Sequence, residues 1–389
     1  MPLTSINIGS SGLIGFSKQL ETIGNNVANL NTPGFKGANS QFSALFDNGG
    51  QSAGTGGGAR SGSGLAMLPS TVDFRQGQIN QTGNDLDVAI DGHGFFVLEG
   101  DSGRLYSRDG RFNFDTKGVL VNADGDRVQG MGADGKLHDI SLDGLHGNPA
   151  SASTTIKLTG GLSTADTTKT IGAVTVTDAA GGTHTLSLEF KNNTTATSGS
   201  WLVTVKDGTT TVGSGEVRFA NGSLDPNFST VKVNYQPAGV PAMPLSITMD
   251  AAATGVSTGS SSLALSSVDG WGIGTLTSST FDAAGKLTIS YSNGQKTTPQ
   301  TLALARFDST TDLDQAHGTS FRSVRPEGGA LGVADGTGTT ISPDSLEGSN
   351  VDLSRQFSAI IVTQRGYQAS SELISTANQM LDTLMHMRG

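Results

Sequence analysis

Six histidines are the first residues to test for chemistry: His93, His138, His146, His184, His317 and His386. No two stand at the spacing of a helical ligand pair, and no His-Glu-x-x-His string occurs. Asp124-Gly125-Asp126 resembles part of a calcium loop, but the downstream bidentate glutamate is missing, so a turn is expected there. Asp91-Gly92-His93-Gly94-Phe95 is rich in glycine. No Lys and no clear helix follow it, which makes it a poor phosphate cradle. The chain holds no cysteine, which excludes disulfides, thiolate metal sites and a cysteine nucleophile. No catalytic residue, metal ligand or cofactor-binding residue is therefore expected.

The composition turns attention from chemistry to architecture. Net charge is 24 − 34 = −10, against a nucleic-acid footprint. Apolar residues form 35% of 389 and charged residues 15%, with 55 glycines. That mixture, rich in Val, Thr and Ser, suggests many short strands joined by turns. No run of about 18 apolar residues is present to span a membrane as a helix. The first basic residue is Lys18, so the N-terminus does not read as a secretory signal peptide.

The two ends differ from the middle. Leu13, Phe16, Leu20, Ile23, Val27 and Leu30 recur in steps of 3, 4, 3, 4 and 3. This is a coiled-coil seam, or else the face of a helix turned to a core. Ser10 or Ser11 is expected to cap the helix, while Asn25, Asn26, Asn29 and Asn31 crowd its last turns. Thr32-Pro33-Gly34-Phe35 then reads as a type II turn. At the other end, Ser349-Asn350-Val351-Asp352 resembles a capping box. Leu353, Ile360, Tyr367, Ile374 and Leu381 recur every seven residues beyond it, with Phe357 and Ile361 widening the stripe. The expected helix of about 38 residues would be ~57 Å long. It is too long to bury one face alone; it needs the N-terminal helix, other copies of itself, or both. Tyr367 is expected in a core.

Between the ends, residues 47–68 are rich in Gly and Ser and read as a linker. Leu86, Val88 and Ile90 alternate, Phe95 to Leu98 form a buried run, and turns follow every eight to twelve residues. Residues 147–280 form a second β-rich region, with strands expected at 173–177, 184–190, 201–206 and 229–235. From Phe281 the earlier style returns. The expected fold is mainly β with α-helical termini, nested and multidomain. Its parts are an N-terminal helix in 1–35, a linker in 36–69, a discontinuous middle β domain in 70–146 and 281–345, an inserted outer β domain in 147–280, and a C-terminal helix in 346–389.

Three segments carry a family resemblance. The first runs from Ser11-Gly12-Leu13 through Gly24-Asn25-Asn26-Val27-Ala28-Asn29 to Thr32-Pro33-Gly34-Phe35-Lys36. The second is Leu86 to Val97, followed by Tyr106-Ser107-Arg108-Asp109-Gly110-Arg111-Phe112. The third is Ser349 to Leu353, then Gln364-Arg365-Gly366-Tyr367-Gln368-Ala369 and the final helix. Together they resemble the axial proteins of the bacterial flagellum, the rod, hook and hook-associated family. Rod proteins are typically shorter. An insertion like 147–280, with Phe281–Leu287 and Leu302–Phe307 after it, is similar to the hook subunits. A distal rod component is the alternative, and a secreted β-rich adhesin a more distant one.

The resemblance implies a structural subunit, not an enzyme, that polymerises with itself into a flexible tube transmitting torque. Terminal helices would line the tube as a coiled coil, with β domains as outer shells. Implied partners are the distal rod protein, the hook cap protein, the hook–filament junction protein and the type III export apparatus, with no nucleic acid, small-molecule substrate or cofactor. The implied place is the extracellular hook, reached without a cleaved signal peptide. The assembly residues so implied are Leu13, Phe16, Leu20, Ile23, Asn25, Asn26, Val27, Leu30, Leu353, Phe357, Ile360, Tyr367, Ile374 and Leu381, with Thr32, Pro33, Gly34 and Phe35 as the family turn. Gly366 is either a tolerated helix glycine or one that permits close helix approach. Arg108 and Arg111 are solvated or join subunit contacts.

Overall fold

The computed structural model describes residues 2–46, 62–132, 134–250, 252–256, 259–334, 336 and 338–387. The chain divides into two compact units, one of residues 1–143, 279–288 and 298–389, the other of residues 144–278 and 289–297.

The first unit carries both helices, α1 (Pro2–Ala28) and α2 (Leu353–His386). α1 begins earlier than expected, so Ser10 and Ser11 lie inside it. Ser11 spends its hydroxyl on the Ile8 carbonyl at 2.9 Å instead of capping an end. α2 begins later than the expected capping box. Asp352, not Ser349, is the cap, accepting from the backbone N–H of Ser354 (2.9 Å) and Arg355 (3.1 Å). Its carboxylate is the stronger partner for two orphan N–H groups at the positive end of the helix. The 34 residues of α2 make a rod of about 51 Å.

The stretch expected to be a linker is structured on both flanks. β1 (Ala38–Phe46) pairs antiparallel with β2 (Gly62–Val72). The alternating Gln41, Phe42, Ser43 of β1 has strand period, which the glycine-rich composition beside it obscured. Residues 47–61 of the expected linker lie outside the described residues.

The β part of this unit is built on Phe95–Gly100, hydrogen-bonded to Gly103–Ser107, Arg127–Met131 and Leu304–Arg306. Phe95 to Leu98 are all buried. Val88, Ala89 and Ile90 are also all buried, so this strand does not alternate as expected. Thr339–Pro343 pairs with it, and it is covered on both faces. Ile79–Gln81 pairs with Ser345–Glu347, which brings the segment after β2 against the segment before α2.

The second unit is a β sandwich. Thr168–Thr177, Thr183–Asn192, Ser200–Asp207 and Thr210–Ala220 form an antiparallel meander. Thr230–Tyr235 and Met243–Met249 belong to a second sheet. Their burial alternates strictly along Thr230–Tyr235. Trp201, Phe190, Leu188, Tyr235 and Leu245 share one core between the sheets.

Candidate assembly site: the helix pair and its junction

α1 and α2 run antiparallel, because Gly9 lies against Ile374 and Asn26 against Gln356. The seam of α2 is not centred on the large apolar row of the sequence. The positions it buries include Thr363, Ser370 and Ala377, spaced by seven and all small. Ile360, Ile374 and Leu381 are half-buried beside them, whereas Leu353 and Tyr367 are exposed. Tyr367 is thus not a core residue: its neighbour Gly366 takes the contact, and a Cβ there would stand 2.5 Å from the Phe16 ring. Gly9 and Gly12 are equally close, with a Cβ at 2.6 Å from Ile374 and 2.5 Å from Ser370. Each such glycine costs a helix about 1 kcal/mol of propensity. Close approach of the two backbones offsets it.

On α1, Ile23 and Asn26 are buried, and Leu13, Phe16, Leu20 and Val27 are half-buried; Leu30, expected on the same row, is half-buried in the turn beyond the helix end. The two asparagines divide their work. Asn25 is exposed and extends the end of the helix, its carbonyl accepting from the N–H of Asn29 at 3.2 Å. The Asn26 amide donates to the Ala38 carbonyl (2.8 Å) and Gln356 Oε1 (3.3 Å) and accepts from Ala38 N–H (2.9 Å). It therefore ties α1, β1 and α2 together.

Gly366→Leu is expected to force Phe16 out of the seam at a cost of about 1–3 kcal/mol. Circular dichroism should show the helical signal at 222 nm melting earlier than in the parent chain, with the β signal in place.

Below the helices the chain turns at Thr32–Phe35. Phe35 N–H donates to Thr32 O at 3.3 Å, and Gly34 has φ +68°. Pro33 and Thr32 are half-buried, and Phe35 is buried. Lys36 follows into the interior. Its ammonium donates to Glu347 Oε1 at 2.5 Å and to the Arg75 carbonyl at 2.9 Å. Arg108 Nη1 donates to Glu347 Oε2 at 3.0 Å, and Nη2 to the Gly92 carbonyl at 2.7 Å. Glu347 also accepts from Gly77 N–H at 2.7 Å, and its carbonyl accepts from Gly34 N–H at 2.7 Å. The side chains of Lys36 and Glu347 are wholly buried and that of Arg108 nearly so. Burial pulls the Lys36 and Arg108 pKa values down, against the Glu347 charge, which raises them. Arg108 is thus neither solvated nor free for a subunit contact, because Glu347 holds it inside. Arg111 stays half-exposed and pairs with Asp109 at 3.3 Å.

Asn350 completes the junction. It accepts from Gly37 N–H (2.8 Å) and donates to the carbonyls of Asp73 (2.6 Å) and Arg75 (3.0 Å). Lys36, Arg108, Glu347 and Asn350 thus stitch four distant segments at the foot of the helix pair.

Asp124 and Asp126 sit in a turn in which Asn122 Oδ1 accepts from both backbone N–H groups, at 3.0 and 2.8 Å. His317 joins them from far along the chain, its Nε2 3.3 Å from Asp126 Oδ2. Their ligand-type atoms lie within 4.8 Å of one another. That oxygen of Asp126 is already engaged by Asn122 Nδ2 at 3.0 Å, so the group reads as a hydrogen-bonded turn.

Comparison with known families gives three matches. Residues 6–36 match the flagella basal body rod protein model and 89–164 the flagellar hook protein FlgE/F/G D1 domain. Residues 343–387 match the flagellar basal body rod FlgEFG protein C-terminal model. Flagellar hook protein FlgE of Escherichia coli K12 is 29% identical over 97% of this chain and 98% of its own. That of Treponema pallidum is 29% identical over 99% and 100%. The crystal structure of Helicobacter pylori flagellar hook protein FlgE2 is similar with a TM-score of 0.48 and 13% identity, over 67% of this chain and 98% of that one. Flagellar hook protein FlgE of Salmonella typhimurium is 30% identical over 97% of this chain and 98% of its own. On that match, nearly end to end, this chain belongs to the flagellar hook protein FlgE family.

Proposed function

We propose that this chain polymerises through its helix pair into the inner wall of a tube and carries its β units outside it. Family membership makes the chain a structural subunit of the flagellar hook. The observation that carries the mode of assembly is what the α1–α2 seam leaves uncovered. Leu353, Phe357 and Ile361 form an exposed ridge at steps of four, Phe357 being 52% and Ile361 54% exposed. Val362, at 69%, and Leu373 and Met380 are exposed at other positions of the same helix. A single helix pair cannot cover these rows, and exposed apolar rows of this length mark an interaction surface. Neighbouring copies of the pair supply equivalent rows, and a rotation between copies that does not close into a ring makes a helical tube.

In this reading the helix residues Leu353, Phe357, Ile360, Tyr367, Ile374 and Leu381, with Leu13, Phe16, Leu20, Ile23 and Val27 and with Leu30 just past the end of α1, form the inner core. Thr32–Phe35 sets the direction in which the chain leaves it. The subunit acts structurally and not as a catalyst. It is exported by the flagellar type III apparatus and added beneath a hook cap, with the distal rod protein below it and the hook–filament junction protein above. Electron microscopy of the full-length chain under salting-out conditions should show bendable tubes. Ile361→Asp with Val362→Asp should abolish them with the thermal melt unchanged, because neither side chain is in the seam. Tubes formed by that variant as readily as by the parent would refute the assignment.

A further inference from the structure

A cleft of about 390 Å³ in the first unit is lined by Glu99, Arg104, Tyr106, Arg322 and Arg325, and by Gly328. Three arginines meeting at one cleft are unexpected in a chain of net charge −10. Arg325 is held by Asp312, Nε to Oδ2 at 3.0 Å. Arg104 and Arg322 are exposed, and among the described residues neither forms an ion pair. The strands fix both: Arg104 stands opposite Glu99 in one ladder, and Arg322 opposite Asp314 in another, without either arginine closing on its neighbour. The two strands are joined, Phe321 pairing with Tyr106, so both guanidinium groups come from one piece of sheet. Gly328 forms part of the wall, where a Cβ would lie 2.4 Å from the Tyr106 hydroxyl.

Planar guanidinium forks match oxyanions, and two forks on a rigid sheet match paired carboxylates. We infer that this cleft receives carboxylate side chains of a second copy of the chain when subunits pack. The inference rests on the polymer reading above. Its physical ground is charge: copies bearing ten excess negative charges repel one another, and packing them side by side favours a contact where unpaired cations meet that excess. Such a contact sits at a subunit boundary, holds by charge more than by shape, and weakens with salt.

The test uses the full-length chain and the double variant Arg104→Gln with Arg322→Gln. Both residues are exposed, so the thermal melt should be unchanged. Below the polymerising concentration, a short poly-glutamate peptide should bind the parent chain at low salt and bind the variant about tenfold more weakly. The variant should also polymerise at a critical concentration raised about tenfold at low salt, with the gap closing at 0.5 M NaCl as screening grows. Equal peptide binding by parent and variant overturns the inference whether or not tubes form. So does a parent chain that takes inorganic phosphate in preference to the peptide while tube formation ignores the substitutions. Peptide binding lost in the variant, in a parent chain that forms no tubes, would support the cleft as a carboxylate site and refute the polymer reading instead.

Discussion

Glu347→Leu is expected to unfold the foot of the helix pair. The substitution leaves Lys36 and Arg108 inside the protein as two cations with no carboxylate between them. Removing one partner of a buried ionic group costs about 3–5 kcal/mol. Here one carboxylate serves two cations and also accepts from Gly77 N–H, so the upper end of that range is expected. Glu347→Gln keeps the shape and still leaves both charges uncompensated, so it should recover less than half of the loss. Replacing all three by apolar residues, Lys36→Met, Arg108→Leu and Glu347→Leu, removes the buried charge and should recover more. Recovery will stop short of the parent, because the carbonyls of Arg75 and Gly92 then lose their donors. Urea denaturation followed at 222 nm measures all three. An Glu347→Leu chain as stable as the parent would show that the cluster holds nothing together.

That cluster was closed to sequence reading, and the reason is physical. Lys36, Arg108 and Glu347 are separated by 72 and 239 residues, and nothing in the local pattern of any of them marks it as interior. Arg108 stood among turn residues, where a charge is ordinarily solvated. The elements that were legible have local causes. Thr32-Pro33-Gly34-Phe35 reads as a turn because Pro and Gly restrict their own backbone. Phe95 to Leu98, and Trp201 to Lys206, read as strands because apolar run and alternation are set by the sheet on which they lie. Periodicity also found both terminal helices. It misjudged which face of α2 meets α1, because it weighs large apolar residues, whereas two backbones at close range favour Gly366, Thr363, Ser370 and Ala377. Of the heptad residues that periodicity selected, Leu353 and Tyr367 are left exposed, while Ile360, Ile374 and Leu381 are half-buried at the edge of the seam. Composition hid the hairpin of β1 and β2, since glycine around a strand dilutes the signal of the strand itself.

Gly34→Ala strikes the same junction through the backbone. Gly34 has φ +68°, which costs an L-residue about 1 kcal/mol or more. A Cβ there would stand 2.3 Å from the backbone N of Asp109 and 2.6 Å from the carbonyl carbon of Arg108. Backbone atoms cannot rotate away as a side chain can, so the turn or the Arg108–Asp109 backbone must move, at about 1–3 kcal/mol. Movement of the turn loosens the Gly34 N–H bond to the Glu347 carbonyl, and movement of Arg108 loosens its pair with the Glu347 carboxylate. The sum is expected near 3 kcal/mol in a melt. Gly34→Asn separates the two causes: Asn tolerates a positive φ but brings the same Cβ, so it should be nearly as damaging as Ala. Gly83 provides the contrast, with φ +75° and nothing within 4 Å of a Cβ. Gly83→Asn should therefore cost well under ~1 kcal/mol. If Gly34→Asn proves as mild as Gly83→Asn, the close passage of the turn against Arg108 and Asp109 is not what holds it. In the tube, a loosened turn would let the helix pair swing against its own β unit, so Gly34→Ala should also raise the critical concentration for polymerisation even at temperatures where the chain stays folded.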